Sequence, residues 1–186
     1  MGSEMCIRDR QLRVHPTLIP EAKAIAQVDG VLNAVMINAS GVGELLLVGP
    51  GAGSRPTASA VMADVVSVAR SLASNEQPSI HSMGVGVSAM SEPAIADINE
   101  VSSAWYLRLD AEDKPGVMAA LTQCLSQHGI GIESLIQKPE SAALAKVPVI
   151  LLTDEAPTRA IEQAIADIEA LPSVGGSVTC LRVENF

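Results

Sequence analysis

The stretch Trp105-Tyr-Leu-Arg-Leu109, together with the turn Asp110-Ala-Glu-Asp-Lys-Pro115-Gly116, decides the fold of the C-terminal half of the chain. A short apolar strand runs into a turn that contains proline and glycine, and the residues after it are apolar at helical spacing as far as Leu125. Gly129 then stands where a glycine commonly ends a helix. The stretch predicts a strand, a turn and a helix over residues 116–128.

The residues that follow continue a regular order of strands and helices. Apolar runs predict strands over residues 130–136, 147–153 and 177–183, and apolar residues at helical spacing predict a helix from Thr158 to Leu171. The order is β-α-β-β-α-β, which packs as an antiparallel sheet with both helices on one face. The sequence therefore predicts an α+β fold whose C-terminal part, residues 104–186, is a ferredoxin-like domain.

A second informative stretch lies in the N-terminal half, where Glu44-Leu-Leu-Leu-Val48 runs into Gly49-Pro-Gly-Ala-Gly53 and then into a predicted helix over residues 56–73 with one buried apolar face. Glycines at positions 49, 51 and 53 leave room for backbone to approach a ligand. The spacing is not that of the first dinucleotide-binding turn, so a tight turn without a ligand stays an alternative. With a predicted strand over residues 31–37, this part reads as a hairpin and a helix of an incomplete α/β domain.

Composition excludes several classes of function. The net charge is −9 and divides evenly, −4 over residues 1–103 and −5 over residues 104–186, so we expect no nucleic-acid partner. We expect no membrane partner, because no apolar run approaches the length of a membrane span. Three widely spaced cysteines are typical of reduced thiols in a cytoplasmic protein, and we expect no metal site. The cysteines are Cys6, Cys124 and Cys180.

The order of these patterns predicts the organisation of the chain. Residues 1–10 fit no element, and we interpret them as a non-native leader, in which case sequence is missing upstream. Residues 11–75 form the incomplete α/β part, residues 76–103 are a linker because Pro, Gly and Ser break every period, and residues 104–186 form the ferredoxin-like domain.

No pattern in the chain predicts catalytic residues. His15, His81 and His128 lie far apart, the carboxylates are isolated, and no nucleophile elbow, zinc-protease or phosphate-loop motif occurs. The loop Asp113-Lys-Pro-Gly116 has exposed backbone N–H groups that suit the carboxylate of a small amino acid, with an ordinary turn as the alternative.

The ordered motifs resemble a known family. The runs from Arg13 to Pro20 and Gly30 to Val35, followed by Gly49-Pro-Gly-Ala-Gly53-x-x-Pro56, resemble the closing part of the catalytic region of homoserine dehydrogenases. Residues 105–186, with Asp113-Lys-Pro-Gly116, Ile132-Glu-Ser134 and Gln137-Lys138, resemble the ACT domain that follows that region in regulated bacterial enzymes.

This resemblance implies an NAD(P)-dependent oxidoreductase that interconverts homoserine and aspartate semialdehyde in the biosynthesis of threonine, methionine and isoleucine. NADP or NAD would be bound mainly by a domain upstream of this chain, which also holds the catalytic residues, so we expect the isolated chain to be inactive. Threonine would be the feedback inhibitor, and a homo-oligomer would form through the ACT domains and the catalytic sheet. A non-catalytic amino-acid-sensing module is the alternative.

The resemblance also implies two sets of site residues. The loop that closes over the nicotinamide end of the cofactor would contain Gly49, Gly51 and Gly53. The effector pocket, completed across a dimer, would contain Asp113, Pro115, Gly116, Val117, Ile132 and Glu133. The segments Asn38-Ala-Ser40, 79–92 and 138–146 depart from the family pattern, and these departures bear more on the effector than on the fold.

Overall fold

A computed structural model describes residues 10–74, 94–137 and 146–184 of the chain. Contacts between Cα atoms divide the chain into two compact units, one of residues 1–19 and 93–186 and one of residues 20–92. The elements in chain order are β1 (Thr17–Leu18), a 3-10 turn (Ala24–Gln27), β2 (Leu32–Ala39), β3 (Gly43–Pro50), α1 (Ser54–Ser74), a 3-10 turn (Ile98–Glu100), β4 (Ser102–Ala111), α2 (Val117–Gln127), β5 (Ile132–Gln137), β6 (Val147–Thr153), β7 (Ala156–Pro157), α3 (Thr158–Glu169) and β8 (Val174–Val183).

The larger unit is a sheet with two helices. Its strands lie in the order β1-β8-β4-β6-β5, β7 pairs with the start of β4, and every pairing is antiparallel except that of β1 with β8. The β4-α2-β5-β6-α3-β8 order and its sheet confirm the predicted ferredoxin-like α+β domain. The helices and strands begin and end within a few residues of the predicted bounds.

The core of the larger unit follows from the strand and helix periods. Alternate residues of β4 and β6 are buried, including Leu107, Leu109 and Leu151, because successive strand side chains point to opposite faces. Leu121 of α2 and Ile161 of α3 cover that face. The helix-covered face of the sheet therefore holds the hydrophobic core.

Glycines set the two ends of α2. Gly116 has φ +92° immediately before the helix, and Gly129 has φ +70° just after it. Left-handed backbone is costly for residues with a Cβ, so both positions favour glycine. The predicted role of Gly129 as the end of the helix is confirmed, whereas Pro115 and Gly116 lie in the turn and the helix begins one residue later than predicted.

The segment 10–19 adds to the larger unit. Thr17 and Leu18 pair in parallel with Arg182 and Val183 of β8, and the Glu184 N–H donates to the Leu18 carbonyl at 3.0 Å. The sequence groups residues 11–19 with the N-terminal part of the chain, whereas their contacts lie in the C-terminal sheet. An otherwise open edge of β8 is thereby covered.

The smaller unit contains the β2-β3 hairpin and α1. The register pairs Ala39 with Gly43, so the connection is three residues long, with Gly41 at φ +101°. It is shorter than the segment 38–43 that lies between the predicted strands. Before the hairpin the chain forms a short 3-10 turn, Ala24–Gln27. Of the predicted linker, residues 76–93 lie outside the described part, and Ile95 forms an isolated bridge with Arg10.

No residue between positions 20 and 73, all of them described, is buried. The large apolar side chains of α1 are exposed, as are many on both strands of the hairpin. The prediction that helix 56–73 buries one face is therefore wrong for this chain, because one hairpin and one helix offer too little surface to cover each other.

Candidate functional site

The glycine-rich segment lies between β3 and α1. Gly49 belongs to β3 and pairs with Asn33, whereas Gly51 and Gly53 lie in the turn that follows. The Gly53 carbonyl accepts the first hydrogen bond of α1, from the Thr57 N–H at 3.1 Å. The structure thus brings the three predicted glycines together at the N-terminal end of a helix of 21 residues.

The three glycines have different local reasons to be glycine. A Cβ on Gly51 would collide with the side-chain amide of Asn33, and Gly53 has φ +119°. A Cβ on Gly49 would have no heavy atom of the described residues within 4 Å. The turn itself therefore explains Gly51 and Gly53, while the open space beside Gly49 is where a ligand is free to approach.

The loop between β4 and α2 is the second predicted site. Asp113, Pro115 and Gly116 are exposed, and the Asp113 carboxylate accepts a 2.9 Å hydrogen bond from the Gln137 side-chain amide. Val117 is buried in the core and orients the first turn of α2. The loop presents a turn with left-handed backbone and a held carboxylate at one end of the sheet.

The other two predicted effector residues lie elsewhere in the chain. Ile132 pairs with Thr153 and packs against the core, at the opposite end of β5 from Gln137. Five residues of strand separate the two ends by about 16 Å at 3.3 Å per residue. Within one chain the structure therefore keeps Ile132 and Glu133 apart from the Asp113 loop.

Sequence reasoning missed two features of this region. The register of β5 on β6 shifts between Ile132 and Ser134, so Glu133 is the extra residue of a β-bulge. Gln137 was part of a family motif, but its hydrogen bond to Asp113 spans 24 positions, and no local pattern predicts such a contact. Both features shape the edge strand β5.

The two thiols among the described residues, those of Cys124 and Cys180, are not activated. Burial raises the pKa of the Cys180 thiol to about 11, with Arg182 opposing and Glu162 adding to the shift. Burial, followed by the charge of Asp167, raises the pKa of Cys124. Both thiols are protonated near neutral pH, so neither has the depressed pKa of a nucleophilic cysteine.

In residues 10–74, 94–137 and 146–184, no group of three or more His, Cys, Asp or Glu side chains is placed to hold a metal ion. None of the helices within these ranges combines the length and apolar character needed to cross a bilayer.

The ACT domain family model matches residues 105–170, the part that forms the ferredoxin-like fold, so the chain is an ACT-domain protein. The homoserine dehydrogenase family model matches residues 2–66. With both matches in this order, and relatives of that name along almost its whole length, the chain belongs to the homoserine dehydrogenase family.

Individual relatives support this assignment. The chain is 45% identical over 176 residues to the homoserine dehydrogenase of Pseudomonas aeruginosa, an alignment that covers 95% of this chain and 41% of that protein. For the Neisseria gonorrhoeae enzyme the identity is 40%, covering 95% and 40%. The crystal structure of the Thiobacillus denitrificans enzyme superposes with a TM-score of 0.85 at 40% identity, covering 96% and 40%. The chain spans about two fifths of the length of these relatives.

Proposed function

We propose that this chain is the part of an NAD(P)-dependent homoserine dehydrogenase that closes the cofactor site and carries the regulatory domain. The whole enzyme would interconvert L-homoserine and L-aspartate 4-semialdehyde in threonine, methionine and isoleucine biosynthesis. The observation that carries the proposal is the 45% identity to an enzyme of that name along 95% of this chain, with the homoserine dehydrogenase match followed by the ACT match.

The smaller unit would act as the lid of the cofactor site, with Gly49, Gly51 and Gly53 at the nicotinamide end. Its apolar surface supports this role, because Val61, Val65 and the other large apolar side chains of α1 are exposed in the chain alone. Exposed apolar faces of this extent mark surfaces that another domain covers. The covering domain would bind most of the NAD or NADP and hold the catalytic residues, so the isolated chain would be inactive.

The ACT domain would bind threonine or a related amino acid through Asp113, Pro115, Gly116 and Val117. The α-carboxylate would lie against backbone N–H groups at the start of α2, where the helix dipole favours negative charge. Ile132 and Glu133 would complete the pocket from a second copy of the chain.

The sheet order supports this dimer. Strand β5 is the edge of the sheet, with β6 as its neighbour. If two copies of β5 pair in antiparallel fashion about a two-fold axis, the Ile132 end of one lies beside the Gln137 and Asp113 end of the other. The proposed pocket residues, which one chain keeps apart, would then meet.

The proposed domain bounds along the sequence are residues 11–75, 76–103 and 104–186, and residues 11–19 of the first part pair with the ACT-domain sheet through β1. We place the protein in the cytoplasm because Cys124 and Cys180 are free thiols, which a reducing compartment favours.

A chimera tests the proposed function. The matching part of the Pseudomonas aeruginosa enzyme, with which this chain shares 45% identity, would be replaced by this chain. We expect reduction of NAD⁺ or NADP⁺ by homoserine in the chimera, inhibition by threonine, and no reduction by the isolated chain. Turnover by the isolated chain, or an inactive chimera shown to be folded, would contradict the proposal.

The sensing module is the second candidate, and the buried core of the larger unit favours it, because that unit needs no other domain to cover it. Under this reading the chain binds an amino acid without chemistry. Calorimetry with threonine, serine, isoleucine and homoserine would test it. Absence of heat with all four, in a sample shown to be dimeric, would count against it.

A further inference from the structure

A cleft in the larger unit lies far from the Asp113 loop. It has a volume of about 390 Å³, within the range of small-molecule sites. We call it the Arg182 cleft. Its lining includes the polar or aromatic residues Arg13, His15, Trp105, Thr158, Glu162 and Arg182. Trp105 of β4 lines the cleft, whereas Asp113 lies beyond the end of that strand at Ala111, which is about 20 Å from Trp105 at 3.3 Å per residue.

Arg182 is the central charge of this cleft. Its residue exposure is 6%. Its guanidinium donates to Ser103 Oγ at 2.8 Å and to Thr158 Oγ1 at 2.6 Å, and it stacks over the Trp105 ring at 4.2 Å. Among the described residues no carboxylate oxygen lies within 4.0 Å of it. A buried charge is costly without a close counter-ion, so a carboxylate in direct contact with the Arg182 guanidinium would stabilise it.

Arg13 adds a second guanidinium at the same place. Arg13 Nη1 donates a hydrogen bond to the same Ser103 Oγ at 3.2 Å. The same Nη1 lies 2.7 Å from Glu184 Oε1 and forms an ion pair with it, but the N–H groups do not point at that oxygen in hydrogen-bond geometry. Glu184 pairs with Arg13, whereas Arg182 has no carboxylate oxygen within 4.0 Å among the described residues, and the charges of Glu184 and Glu162 act on it only at longer range. Thr158 begins α3, so the positive end of a 12-residue helix points to the same region.

The rest of the lining limits what an anion can be. Leu12, Val14 and Ile98 are exposed apolar side chains that a ligand would cover. Exposed Glu162 lies on the lining and would repel a second negative charge. These walls suit one negative charge on a short aliphatic body.

We propose that the Arg182 cleft binds a small aliphatic monocarboxylate, whose carboxylate pairs with the buried Arg182 guanidinium. The ligand is either a plain carboxylic acid or an α-amino acid whose ammonium group faces Glu162. A guanidinium binds a carboxylate through two parallel hydrogen bonds, which gives both charge balance and orientation.

His15 lies on the lining and reports on the charge in the cleft. Partial burial, then the charges of Arg182 and Arg13, lower the pKa of His15, with Glu184 opposing them. A bound carboxylate would offset the charge of Arg182. Binding would therefore raise the pKa of His15.

The test uses the full chain and Trp105, which is its one tryptophan. Sodium butyrate, 2-aminobutyrate and inorganic phosphate would be titrated at constant ionic strength while Trp105 emission is followed. We expect a saturable change with butyrate or 2-aminobutyrate, and the tighter of the two identifies a plain acid or an amino acid. Phosphate binding as tight as the better carboxylate, or no saturable change with either, would overturn the proposal.

Variants locate the site. Arg182→Met keeps most of the shape and removes the charge, so we expect binding to weaken about tenfold or more. Arg108→Met is the matched control, because Arg108 is an exposed arginine of the same sheet, and it should not change butyrate binding. Equal affinity in Arg182→Met would overturn the proposal.

A measurement on the unaltered chain covers the case in which Arg182→Met does not fold. The pKa of His15 would be followed by NMR with and without saturating ligand. A rise supports the site, and an unchanged pKa at saturation contradicts it.

Discussion

The Asp113 carboxylate and the Gln137 side-chain amide form a 2.9 Å hydrogen bond that ties the loop after β4 to the last residue of β5. Both side chains lie at the surface, so the bond contributes little to folding. The hydrogen bond instead fixes the position of the loop, because it holds the exposed segment that precedes α2 against β5, the edge strand on which the proposed dimer forms.

Replacement of Gln137 by Ala should weaken effector binding more than it weakens folding. We expect the free energy of unfolding to fall by about 1 kcal/mol or less, because the lost hydrogen bond is exposed, and threonine affinity to fall about tenfold as the loop loses its support. Urea unfolding and calorimetry measure the two effects. Gln123→Ala, at an exposed position of α2, is the control, and equal losses of affinity in both variants would contradict the role of Gln137.

Replacement of Leu107 by Ala should strongly destabilise the larger unit. Leu107 is fully buried in the cluster between sheet and helices, so we expect a loss of about 3 kcal/mol from burial and the remaining cavity. Leu135→Ala, on the edge strand at 38% exposure, should cost less than about 1 kcal/mol. Urea unfolding followed by Trp105 fluorescence compares them, and similar losses would show that Leu107 is not central.

Backbone amides of the smaller unit should exchange with solvent faster than those of the larger unit. In the chain alone β2, β3 and α1 have hydrogen-bonded backbone, and no side chain between residues 20 and 73 is buried, so little apolar burial opposes local opening. Hydrogen exchange of the full chain measures this directly. Protection of residues 54–74 equal to that of β4 and β6 would contradict the interpretation that another domain covers α1.

The strands and helices of the larger unit could be predicted because one face of each is buried, so that apolar residues recur in the sequence at strand or helix spacing. Strand β1 could not, since Thr17 and Leu18 form too short a run to show a period. The hydrogen bonds of Arg182 to Ser103 and Thr158 join residues far apart in sequence, so the Arg182 cleft was not predicted. The sequence predicted a glycine-rich turn around Gly51. Only the structure shows that a Cβ on Gly51 would collide with Asn33, whereas a Cβ on Gly49 would meet no described residue within 4 Å.

In the chimera, Gly51→Ala and Gly49→Ala should act differently. A Cβ at position 51 collides with Asn33, so this variant should disturb the turn and lower both kcat and thermal stability. A Cβ at position 49 meets none of the described residues, so stability should change by less than about 1 kcal/mol. If the nicotinamide end lies beside Gly49, the KM for NAD(P) should rise about tenfold. An unchanged KM in Gly49→Ala would contradict the proposed lid.

The thiol of Cys180 should react slowly and should link stability to alkaline pH. With its pKa raised to about 11 from an ordinary 9.0, its thiolate fraction at pH 8 is about a hundredfold lower than in the unfolded chain. In a Cys6→Ser background, a disulfide reagent should modify native Cys124 and Cys180 far more slowly than the same thiols in denaturant.

The raised pKa of Cys180 also links the stability of the fold to pH. Because the pKa is higher in the folded chain, the contribution of the protonated Cys180 thiol to the free energy of unfolding is complete below about pH 9 and is lost as the pH rises toward 11. Urea unfolding at pH 8 and pH 10 should therefore show a smaller loss in Cys180→Ser, since serine does not titrate there. Equal modification rates in the native and denatured chains would contradict the raised pKa.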